Sequence, residues 1–211
     1  MRHGTVDPAH RPRHPWRCTV TAGLAADRPE VLRAAPPPGA ADPAGAEAAD
    51  GADGADGAAD FALAAWREDG AWSLAPLPPC TAGHLPDLLR ALRQLPADAG
   101  ALGLVSLADS TFLLVRVGGG ETRLLVADPE AAEGTALGRE AVDALVDAGA
   151  DLAPEDDPWL GDLGLLADLG LEPAALRSLC EDDEAYPDEL LGVLAEHLGL
   201  GPAYEAALDA T

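Results

Sequence analysis

The chain has 211 residues, 37 of them acidic and 13 basic, a formal charge of −24, and every basic residue is arginine. Such a chain repels phosphate and anionic lipid, which argues against direct nucleic acid binding or membrane attachment, and it attracts basic proteins. No stretch approaches the roughly 18 apolar residues of a membrane span, and Cys18, Cys80 and Cys180 show neither CxxC nor zinc-type spacing, so reduced thiols and a cytoplasmic setting are expected.

Residues 1–58 read as a disordered, low-complexity tail. Its PPP and DGADGADGAAD runs hold too little apolar surface to offset ordering entropy. A start codon placed too early would also produce such a tail. The repeated DGA lacks the oxygen ladder and twelfth-position glutamate of a calcium loop. From Ala59 onward the sequence carries 29 acids and 7 arginines, so the charge lies on the part that reads as folded. A GC-rich genome and a need for solubility would yield the same acidity.

FALAAW and AWSLAPL flank an Arg-Glu-Asp-Gly turn and predict a hairpin. HLPDLLRALRQL has the helical period, with Leu85, Leu88, Leu89, Leu92 and Leu95 on one stripe and Pro86 in the first turn. ALGLVSL, TFLLVRV and TRLLVAD then follow with short Ala-Asp-Ser and Gly-Gly-Gly connections, which force antiparallel neighbours. Residues 129–148 return to helix, with Gly134 and Gly138 weakening its first half. The order β-β-α-β-β-β-α over residues 59–149 predicts an α+β domain, one antiparallel sheet with helices on one face. That topology resembles roadblock- or profilin-like folds.

Residues 150–158 read as an acidic linker, and residues 159–211 as a C-terminal helical module. Within the module, a helix over residues 160–169 is expected to stop at Gly170 in the left-handed conformation, with Leu171 folding back on Leu166. Pro173 would start the next helix. The phrase LADLGLEPAAL returns as LAEHLGLGPAYEAAL about 28 residues later. That recurrence reads either as an internal repeat or as the same capping chemistry used twice. Both copies must bury their leucines on each other or on the sheet.

No constellation of catalytic groups emerges. His3, His10 and His14 lie in the tail, His84 precedes a helix, and His197 falls in a last helical turn, where it complements carbonyls and the helix dipole. Ser73, Ser106, Ser110 and Ser178 lack a GxSxG setting. Cys180 stands beside acids, which blunt a thiol. No cofactor or metal is implied. The residues expected to meet a partner are Trp159, after the linker, and the acid run Glu181, Asp182, Asp183 and Glu184. One arginine among twelve acids beyond Trp159 excludes a DNA-reading helix-turn-helix.

FALAAWREDGAW, TFLLVRVGGGETRLLVADPEAA, GDLGLLADLGLEPAALRSLC and PDELLGVLAEHLG together resemble the tRNA adenosine deaminase-associated protein family of actinobacteria. The likeness runs from about residue 61 to residue 208. It departs mildly from the family pattern in the fourth strand and in a shorter acidic linker. It implies association with the enzyme that converts wobble adenosine to inosine, and no catalytic residues of its own. The HxE and PCxxC signature of a zinc deaminase is indeed missing from the sequence. The expectation is a non-enzymatic acidic accessory protein whose partner is the deaminase or another basic protein. The alternatives are a nucleic-acid-mimicking regulator of a basic protein and, more remotely, a small carboxylate-dependent enzyme.

Overall fold

A computed structural model describes residues 59–98, 100–150 and 157–211. The expected tail and most of the expected linker lie outside the described residues. Strands β1 (Ala59–Glu68), β2 (Ala71–Pro76), β3 (Ala101–Leu107), β4 (Thr111–Gly118) and β5 (Glu121–Val126) form the antiparallel α+β sheet that the apolar runs predict. A sixth strand, β6 (Leu160–Gly161), extends it, in the order β2-β1-β3-β4-β5-β6. The β1–β2 hairpin turns at Asp69 and Gly70, both at positive φ, as its Asp-Gly pair requires.

The alternation of side chains assigns each face. Leu63, Leu104, Leu114 and Leu125 face one another across four strands and are fully buried. The next row on the opposite face is Ala64, Gly103, Val115 and Leu124. Helix α1 (Leu85–Arg93) packs on that second face. Its fit depends on Gly103, where an added Cβ would come within 3.0 Å of Leu92 Cδ1.

The expected helix over residues 129–148 is broken into α2 (Pro129–Ala132) and α3 (Ala136–Asp147). Thr135 makes the break. Its hydroxyl donates to the Ala132 carbonyl and accepts from the Gly138 N–H, capping α3. Gly138 is a packing glycine: a Cβ there would sit 2.0 Å from the Ala132 oxygen.

Helices cover both faces of the sheet, in contrast to the single covered face expected from sequence. The leucine row and its neighbours Ala65, Leu102 and Phe112 share one hydrophobic cluster with Leu165, Leu166, Leu171 and residues of α4 (Pro173–Cys180), α5 (Pro187–His197) and α6 (Gly201–Leu208). The C-terminal leucines are therefore buried on the sheet as well as on each other. Tyr204 ties these parts together: its hydroxyl donates to the Asp188 carbonyl, and its ring meets Phe61 edge-on at 6.4 Å.

The segment before α4 departs from expectation. Residues 160–161 pair with β5, and helical geometry is confined to a 3-10 turn at Ala167–Leu169. Gly161 suits the strand at φ +119, where a Cβ would lie 2.3 Å from the Leu124 oxygen. The cap itself is as expected. Gly170 has φ 98, its N–H donates to Ala167, and the Leu171 N–H donates to Leu166. The same pair of bonds recurs at Gly199 and Leu200, and again at Gly149 and Ala150 after α3. A third occurrence, outside the paired phrases, favours recurrent capping chemistry over an internal repeat.

Candidate protein-docking site

Two arginines fix the C-terminal segment on the sheet. Arg116 and Arg123 are cross-strand neighbours on the leucine face. Arg116, with its side chain only 12 % exposed, donates to the Leu165 carbonyl at 2.8 Å and grips Asp168 with both terminal nitrogens. Arg123 Nε donates to Asp162 Oδ2 at 2.6 Å, and the other Asp162 oxygen accepts from the Gly164 N–H. Those hydrogen bonds, chiefly the arginine ones, hold both carboxyls below the usual carboxylate range.

The sign of the pH effect follows. A depressed carboxyl pKa adds stability that is complete above the unfolded value, about 3.9, and is lost as pH falls through the folded value. Protonation of other surface acids relieves self-repulsion over the same range, so the readout is a difference between proteins. The urea midpoint of the Arg116→Met variant should lie below that of the wild type at pH 7, and the gap should narrow below about pH 4. A gap unchanged down to pH 2.5 would remove the clamp from this account.

The other arginines are also engaged. Arg67 lies over the Trp72 ring at 4.9 Å and Arg177 over Trp159 at 5.1 Å, while Arg90 pairs with Asp87, Arg93 donates to Thr122, and Arg139 has a partner too. Every arginine from Ala59 onward is thus taken up within the chain.

Against that background stands the connection between α4 and α5. Glu181, Asp182, Asp183 and Glu184 are all exposed, and among the described residues none has a cationic partner. Asp182 shapes the loop, because its Oδ1 accepts from the N–H groups of Glu184 and Ala185. Glu181, Asp182 and Asp183 line a cleft of about 370 Å³, whereas Glu184 stands outside it. The opposite wall is the start of β4, with Thr111 and Phe112, and the two residues that follow β5, Ala127 and Asp128. Thr111 Oγ1 accepts from the Asp128 N–H, and Asp128 caps α2 through Ala131.

Sequence reasoning did not single out Asp128 and Tyr186. Tyr186 is 65 % exposed beside the cleft, and its N–H is capped by Glu189. A bulky aromatic before a helix-starting proline, next to four acids, was the available signal. Trp159 lies elsewhere in kind: it is 8 % exposed in the shared core beneath Arg177, so it anchors the chain and is not grouped with the exposed acids.

The chemistry of the site is that of a surface. Cys180 is a free, buried thiol pushed up to about 12, first by burial and then by Glu181, so it holds its proton at neutral pH. Cys80 is not free. His197 Nδ1 meets the Val193 carbonyl at 2.9 Å within α5, and His84 pairs with Glu140, whose other oxygen accepts from the Leu85 N–H. Among the described residues, no three His, Cys, Asp or Glu side chains converge as a metal would need, and no helix is long and apolar enough to cross a membrane.

No solved structure matches the chain. Over 154 residues it is 35 % identical to Protein Rv3753c of Mycobacterium tuberculosis (strain ATCC 25618 / H37Rv), covering 71 % of this chain and 87 % of that protein. Residues 60–201 match the family described as Rv3753c-like tRNA adenosine deaminase-associated protein, a span that takes in the sheet, the arginine clamp and the acidic loop. On both findings, the chain belongs to the Rv3753c-like tRNA adenosine deaminase-associated protein family.

Proposed function

We propose that this protein is a non-catalytic accessory factor that binds the tRNA adenosine deaminase, or another basic protein, through its acidic surface in the cytoplasm. The family description supplies the association. The observation that carries the docking mode is the contrast in charge use. The arginines of the folded part have internal partners, whereas the loop at residues 181–184 projects four carboxylates with no counter-charge among the described residues. Such a surface speeds encounter with a basic face and selects against acidic ones. A protein that binds tRNA must itself present a basic face, which makes the deaminase a suitable partner.

Capture of the purified deaminase by the full chain is the test. Capture is expected at about 50 mM salt and should fall sharply at about 300 mM, where the Debye length drops below about 8 Å. Absence of capture at the lower concentration would refute the proposal. Addition of tRNA separates the two modes of docking. Displacement by tRNA places the protein on the RNA-binding groove, as a nucleic acid mimic; a ternary complex places it elsewhere on the enzyme.

A further inference from the structure

We infer that the cleft between the start of β4 and the α4–α5 loop receives a single arginine side chain from a segment of the partner protein. The inference deepens the docking reading and rests on it. The floor of the cleft is apolar, formed by Phe112, Cys180 and Leu190, which are 1 %, 8 % and 7 % exposed. Its rim is acidic, formed by Asp128, Glu181 and Asp183. Among the described residues no cation lines it, and the buried Cys180 thiol is one of its lining groups.

Each feature excludes a class of occupant. An anion would meet three or more carboxylates and no donor cation. A purely apolar side chain would cover those carboxylates without neutralising them, which is costly. A long aliphatic stem ending in a cation satisfies both the floor and the rim. Arginine suits better than lysine, because its planar fork pairs with carboxylates through two bonds and is more weakly hydrated. The volume of about 370 Å³ is at the small end for a ligand pocket and fits one side chain with its flanking backbone. Ala185 and Pro187 both line the cleft, and Tyr186 between them in the chain is exposed. That ring offers a face to a second basic side chain of the same segment.

The probe is a capped Ala-Arg-Ala tripeptide, with Ala-Lys-Ala and Ala-Glu-Ala as controls, titrated into the ¹⁵N-labelled full chain. Saturable amide shifts are expected at Thr111, Ala127, Asp183 and Ala185 with the arginine peptide, weaker ones with lysine, and none with glutamate. Two variants sharpen the result. Ser110→Trp, on the exposed rim, obstructs the cleft without changing charge. Asp128→Asn neutralises one rim group while keeping an oxygen for the α2 cap. Both should abolish saturation. Shifts spread without saturation over remote acids such as Glu121, Asp143 and Glu205, or unchanged binding in both variants, would overturn the inference. If the probe fails while deaminase capture stays salt-sensitive, the cleft is wrong and the docking reading stands. If the probe binds and the deaminase is never captured, the reverse holds.

Discussion

Leu166→Ala is expected to lower the unfolding free energy by about 2–5 kcal/mol, the range for deleting a buried leucine side chain that leaves a cavity. Leu166 is fully buried in the cluster that joins the sheet to α4–α6. Its carbonyl also accepts the Leu171 N–H that closes the Gly170 cap. The backbone bond survives the substitution, so the loss reports packing. Urea unfolding followed by far-ultraviolet circular dichroism and by tryptophan fluorescence checks it. Trp66 and Trp72 report on β1 and β2, and Trp159 on the C-terminal segment. Both signals should move together to lower urea. If the helical signal melts first while the sheet is unaffected, the shared core described above is not a cooperative unit.

The second large effect concerns binding. Reversing Glu181, Asp183 and Glu184 to lysine changes the local charge by six units. It should weaken deaminase binding at low salt by about tenfold or more, since like charges facing a basic partner repel. Asp182 is left in place because its carboxylate accepts two backbone N–H groups that shape the loop. The three replaced side chains are exposed and, among the described residues, without ion-pair partners, so folding stability should change by less than about 0.5 kcal/mol. Wild-type affinity in this variant, with an unchanged urea midpoint, would move the interface away from the loop.

The strands and caps of this protein are local features and were readable. Short continuous apolar runs with short turns forced the meander, and the Gly170 cap followed from residue spacing alone. What misled was a local signal overruled at a distance. Residues 160–169 have helical leucine spacing, yet β5 still has a free edge there, and Leu160 and Gly161 pair with it. The glycine at 161 was the clue, because its backbone geometry excludes a side chain. Gly138 read as a weak point in a helix, whereas the structure makes it the contact that seats α3 on α2.

The covering of the leucine face was legible in principle. Arg116 and Arg123 interrupt rows of leucine, and two arginines opposite one another repel unless acids lie across them. Asp162 and Asp168 answer that need from the segment that reads as a helix over residues 160–169. The candidate site was half visible. The acid run was plain, but its cleft is made by β4 and β5, some 60 residues earlier in the chain, and no spacing rule connects those parts. Trp159 shows the opposite error, an aromatic after a linker that turns inward.

The most direct test of the central claim, that the uncompensated acidic loop is the docking surface, is amide hydrogen exchange of the full chain with and without the deaminase at low salt. Protection gained at residues 181–190 and 110–112, and lost again at high salt, is the predicted result. Protection confined to α1 and α3 on the opposite face of the sheet, with the acidic loop exchanging as in the free protein, would contradict it.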